Sequence, residues 1–133
     1  MKLNMDLVRK ILIITEDETD FFNYYKYEES LNDIRLKKYT HDEIIYHIYQ
    51  CNRAELIDAT FDDMCEIVKI TDLTPKGHEF LNNTRQDNIW NTVKNIGLKI
   101  GASSLSAFIQ ISSNVASEMI KTYFSTNGII PIP

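Results

Sequence analysis

A chain of 133 residues, 44% hydrophobic and 25% charged, is long enough to bury a core without disulfide or metal staples. No apolar run reaches the ~18–20 residues of a membrane span. Met1–Thr15 is broken by Lys2, Asp6, Arg9 and Lys10, unlike the apolar stretch of a secretory signal, so a cytoplasmic protein with no membrane partner is expected. Cys51 and Cys65 then read as reduced, semi-buried thiols.

Four glycines and three prolines imply long elements and short loops, with helix dominant. In chain order, Asn4 caps a first helix carrying Leu7, Val8, Ile11, Leu12 and Ile14 at helical spacing, and the acidic run Thr15–Asp20 is expected to end it. Phe21–Ser30 is aromatic, with residues that favour strand and a pattern that does not alternate cleanly; the early strand is placed instead in Asp33–Tyr39, where Ile34 and Leu36 would share a face. Thr40 and Glu43 form a capping box that opens a second helix, with Ile44, Ile48 and Cys51 as its buried stripe and Ile45 and Tyr49 widening it. Leu56–Phe61 and Glu66–Ile70, joined through Asp62-Asp63, predict a hairpin.

The run LTPKGHEFLNNTRQDNIW is a strand-to-helix joint. Thr74 serves as the cap, Pro75 occupies the first helical position, and Gly77 lets the helix approach the hairpin closely; His78, Leu81 and Arg85 follow at helical spacing. Asp87 reads as a second cap, after which Ile89, Trp90, Val93, Ile96 and Ile100 form an apolar face and Gly97 and Gly101 mark the end. Ser103 or Ser104 caps a last helix with a stripe of Leu105, Phe108, Ser112, Val115, Met119 and Tyr123. Asn127-Gly128 stops it, and Pro131 prevents continuation. The fold class is α+β, mostly helical: a winged-helix-like domain over residues 1–128 with a β-hairpin wing and additional C-terminal helices, followed by a short flexible tail at 129–133.

Three blocks, MKLNMDLVRKILI, YHIYQCNRAELIDA and LTPKGHEFLNNTRQDNIWNTVK, together resemble an uncharacterised phage and prophage family known as domain of unknown function 2513. The resemblance implies a winged-helix-like protein of a phage or integrated element, without a known activity. It departs at Glu55, where the family usually carries a glycine that would permit a left-handed helix end; glutamate there implies a different exit from the second helix.

Two functions follow. By fold analogy the chain is a small regulatory protein binding double-stranded DNA, with Tyr46, Gln50, Asn52 and Arg53 toward base edges and Lys37, Lys38, Lys69 and Lys76 on phosphates. The alternative is a protein-interaction module acting on a host or phage protein, with the tyrosines of FFNYYKY as contact residues or, failing that, Phe21, Phe22 and Tyr25 covering the first helix. Charge separates them: from Thr40 to Asp72 the acids Asp42, Glu43, Glu55, Asp58, Asp62, Asp63, Glu66 and Asp72 face only Arg53 and Lys69, while Arg35, Lys37 and Lys38 cluster before them. A homodimer through the C-terminal helix, using residues such as Ile109, Ile111, Ile120 and Phe124, is a further expectation. His47, Cys51, Cys65 and His78 lack metal-site spacing and read as packing residues, the histidines partly buried; no nucleophile elbow or phosphate loop is present, so neither a cofactor nor an enzyme is expected.

Overall fold

The computed structural model describes residues Met1–Thr126, so the expected stop at Asn127-Gly128, Pro131 and the tail lie outside the described residues. In order come α1 (Met5–Glu18), β1 (Tyr25–Tyr27), 3-10 turns at Glu29–Leu31 and Ile34–Leu36, α2 (His41–Arg53), β2 (Ile57–Phe61), β3 (Val68–Leu73), α3 (Pro75–Thr84), α4 (Asp87–Ile100) and α5 (Leu105–Thr126). The fold is mixed α+β and mostly helical. It divides into two compact units, one of Met1–Leu81 and one from Asn82 onward.

In the first unit the strands form an antiparallel sheet in the order β1-β3-β2. Its inner face, with Tyr25, Tyr27, Ile57, Val68 and Ile70, is buried together with Leu7, Val8, Ile11 and Leu12 of α1 and Ile44, Ile48 and Cys51 of α2. Asn4 caps α1 by accepting the Leu7 N–H at 3.2 Å. The helix ends within the acidic run, as expected: Glu18 is its last residue and the Thr19 N–H bonds the Thr15 carbonyl at 3.1 Å, while Thr15 itself is fully buried with its hydroxyl donating to the Ile11 carbonyl at 2.7 Å.

The early strand is displaced from its expected place. Ile34 and Leu36 share no face: they lie in a 3-10 turn, with Ile34 exposed and Leu36 buried. Asn32 adopts a left-handed φ of 50°, and the Asp33 carboxylate accepts the Arg35 N–H at 3.0 Å, which closes a turn where a strand was expected. The free edge of β3 is taken instead by Tyr25–Tyr27, in the register Tyr25↔Ile70, Lys26↔Lys69 and Tyr27↔Val68.

The α2 capping box is present in both directions, Glu43 N–H to Thr40 Oγ1 and Thr40 N–H to the Glu43 carboxylate. The helix leaves through the left-handed exit that glutamate was expected to prevent. Glu55 has φ 62°, its N–H bonds the Asn52 carbonyl, and the Leu56 N–H bonds the Cys51 carbonyl, both at 3.0 Å. These two bonds make a Schellman motif and hold the Glu55 backbone in the left-handed region, which is strained for a residue with a Cβ. Glu55→Gly is therefore expected to raise stability by about 1 kcal/mol in urea unfolding, and a loss of stability would contradict this account.

The hairpin forms as expected, with a bulge at Asp58/Ala59 that leaves Thr71 without a partner in the register. Thr74 accepts the Gly77 N–H at 3.0 Å and caps α3, as expected. In the second unit, Asp87 stands inside α4 and Gln86 is the cap residue, making no side-chain capping bond. The α4 face is shorter than expected, since Ile100 is exposed. Gly101, with φ 70°, ends the helix, whereas Gly97 is an interior residue covered by the Phe108 ring of α5. Ser104 caps α5 by accepting the Ala107 N–H at 3.1 Å. Along α5, Leu105, Phe108, Ile111 and Ser112 are buried, while Met119, Ile120 and Tyr123 are exposed.

Candidate interaction surface

Burial of Ile44, His47, Ile48 and Cys51 fixes the rotation of α2 and turns Asp42, Tyr49 and Arg53 outward. Tyr49, expected in the buried stripe, lies instead on the surface. Its ring meets Phe61 at the end of β2 edge to face, with centroids 5.7 Å apart, and the Arg53 guanidinium lies 5.6 Å above it. An aromatic–cationic patch thus joins the helix to the hairpin. Nothing in the spacing of Phe61 announces it, because the pairing crosses from helix to strand.

The hairpin tip is a built turn. Asp62 Oδ1 accepts the N–H groups of Glu66 at 2.8 Å and Ile67 at 3.0 Å, and the Asp62 carbonyl accepts that of Cys65, which has φ 55°. Asp62, Asp63, Met64, Cys65 and Glu66 are all exposed. Beside the tip, Glu66 shares the lining of an open cleft of about 530 Å³ with Glu28, Glu29 and His41. The His41 ring stacks on Tyr27 and shares a 2.9 Å hydrogen bond with its hydroxyl. Burial, followed by the nearby Glu29 charge, pushes the Tyr27 phenol up to about 12.

The residues expected on nucleic acid are dispersed. On α2, Tyr46 is half-buried edge-on to His47, Gln50 is half-buried, and Asn52 is committed to structure by accepting the Ala59 N–H at 3.0 Å. Only Arg53 of that group is exposed. Lys37 and Lys38 are exposed at the end of the second 3-10 turn, with the Lys38 ammonium over the Tyr39 ring. Lys69 is on β3, over the Tyr24 ring, and Lys76 is in the first turn of α3.

Arg35 leaves the basic cluster. It donates to both Asp33 oxygens, at 2.9 and 2.6 Å, and pairs with Glu18 at 2.9 Å, while the Tyr25 hydroxyl donates to Asp33 at 2.6 Å. Hydrogen bonds from Arg35 hold the Asp33 carboxyl well below the ordinary carboxylate range, and burial followed by its bond to Asp33 raises the Tyr25 phenol. This network ties the end of α1 and the second 3-10 turn to β1.

The packing residues also separate. His47 is buried and uses both ring nitrogens, whereas His78, expected to be partly buried, is exposed on α3. Cys51 is buried, with its thiol pushed up to about 12 by desolvation, while Cys65 is exposed at the hairpin tip; both are free. No group of three or more His, Cys, Asp or Glu among the described residues is placed to hold a metal ion. Trp90 is buried in α4. Of the dimer residues, Ile111 is buried in its own unit, Ile109 and Phe124 are half-buried, and Ile120 is exposed. No helix among the described residues is long and apolar enough to cross a membrane.

A family model described as "Hypothetical protein (DUF2513)" matches residues 2–103. The chain is also similar to an uncharacterized protein of Haemophilus influenzae, 30% identical over 125 residues that cover 90% of this chain and 99% of the relative. No solved structure matches.

Proposed function

The chain belongs to the DUF2513 family, and from that premise we propose that it is a non-enzymatic, winged-helix-like module whose α2–hairpin face binds a basic surface on another protein. Support for the winged-helix reading comes from the element order. A helix, α2, leads directly into the β2–β3 hairpin, the sheet order is β1-β3-β2, and two 3-10 turns stand where the first helix of a helix-turn-helix would be.

The observation that carries the choice of partner is the exposed acidic tip of Asp62, Asp63 and Glu66. In a DNA-bound winged helix, α2 and the hairpin would face a duplex carrying one negative charge per ~1.7 Å, and this tip would repel it. The same charges steer a basic protein surface, with the Tyr49–Phe61 pair as an apolar anchor. Duplex DNA is the rival occupant, favoured by the α2-to-hairpin topology and the exposed Lys37, Lys38 and Arg53.

A mobility-shift assay with random-sequence duplex at about 50 mM salt is expected to show no complex for the wild-type chain. The variant Asp62→Lys/Asp63→Lys/Glu66→Lys is expected to gain a complex that disappears as salt rises. Captured from native cells and then purified, the protein partner is expected to bind this variant at least about tenfold more weakly. A salt-sensitive wild-type complex with duplex would replace the protein reading with the DNA one.

A further inference from the structure

The turn between α1 and β1 holds two phenylalanines out in water. Phe21 is 94% exposed and Phe22 88%, and their rings meet edge to face with centroids 5.1 Å apart. Of Phe21, Phe22 and Tyr25, expected to cover α1, only Tyr25 is buried, along with Tyr27. The turn itself is tightly determined. Asp20 Oδ1 accepts the Phe22 N–H at 2.8 Å and the Asn23 N–H at 2.9 Å, the Asn23 amide donates to both Asp20 oxygens, and the Asp20 N–H bonds the Asn23 carbonyl at 3.2 Å. The rings are therefore displayed by a hydrogen-bonded loop whose order is set before any partner arrives, which lowers the entropy lost on binding.

We infer that Phe21 and Phe22 form an aromatic knob that inserts into an apolar pocket with a basic rim on another protein. The rim follows from charge. Glu16, Asp17, Glu18 and Asp20 precede the rings, Arg35 is engaged by Asp33 and Glu18, and Lys26 pairs with Glu28 at 4.0 Å, so the single charge of Lys69, which it keeps over the Tyr24 ring, leaves the flank acidic. An anionic bilayer would repel that flank, although aromatic rings suit membrane interfaces. A second copy would bring the same acids and a net charge of −5. Paired aromatics in a desolvated pocket are typical binding hot spots. The knob uses a segment distinct from α2 and the hairpin, so variants of one leave the other intact.

The test replaces Phe21 or Phe22 with a benzophenone amino acid in cells that make the chain natively, and identifies the photo-adduct by mass spectrometry. Expected is one heterologous protein crosslinked from these positions and not from Asp87. Its purified form should bind Phe21→Ala/Phe22→Ala at least about 100-fold more weakly than wild type, with the variant's melting temperature unchanged. Binding should also weaken with salt. Absence of an adduct, an adduct only with a second copy of this chain, or equal affinity for the double variant overturns the proposal. So does co-sedimentation with zwitterionic or anionic phospholipid vesicles that depends on the two rings.

Discussion

Gly77→Ala is expected to destabilise the chain by about 3 kcal/mol or more in denaturant unfolding, a large share of the ~5–15 kcal/mol available to a domain. A Cβ on Gly77 would stand 2.0 Å from the Leu56 carbonyl oxygen and 2.9 Å from its carbon. The obstacle is backbone, so no rotamer change relieves it. Backing α3 away is also costly, because the same Leu56 carbonyl accepts the Thr74 N–H at 3.0 Å, and the Thr74 hydroxyl donates to the Glu55 carbonyl while accepting the Gly77 N–H. One small displacement would loosen the α3 cap and the connection to the hairpin together. A loss below about 1 kcal/mol would show that the helix can shift freely, contrary to this packing.

His47→Leu is expected to cost about 2–3 kcal/mol although the replacement is apolar and similar in size. His47 is 1% exposed; its Nε2 accepts the Asn4 N–H at 2.8 Å and its Nδ1–H donates to the Glu43 carbonyl at 2.7 Å. Those bonds specify the neutral Nδ1–H tautomer and tie the residue that caps α1 to the middle of α2. Leucine leaves the part-buried Asn4 N–H without its imidazole acceptor. His47→Gln, which keeps an acceptor on a flexible stem, should recover part of the loss. Faster amide exchange at Asn4 and in the first turn of α1 would locate the damage. Wild-type stability in His47→Leu would remove the histidine's structural role.

Features written within three or four residues were legible beforehand. The Thr40–Glu43 box and the Asn4 and Thr74 caps each satisfy a backbone donor from a neighbouring side chain, so sequence spacing is sufficient. The hairpin was legible for a similar reason, a polar turn between two β-capable runs. The early strand is not legible in the sequence, because β1 is a strand through its pairing with β3, more than forty residues later, while Asp33 turns the competing segment locally. The left-handed exit at Glu55 is not legible either, because the Schellman hydrogen bonds outweigh the residue's own backbone preference.

For the interaction surface, composition alone placed the acids around Asp62, since an exposed turn cannot hide them. It could not show Arg35 withdrawn into the Asp33–Glu18 network, Asn52 spent on the Ala59 amide, or Tyr49 brought against Phe61. Each of those depends on a contact between separate elements. The linear order of residues therefore determined the side-chain-capped helix starts at Asn4, Thr40 and Thr74, the hairpin and the charge of its tip, all set by near neighbours along the chain. The tertiary structure alone decided which polar groups remain free and which aromatics face water, because that depends on what distant segments have already satisfied or covered.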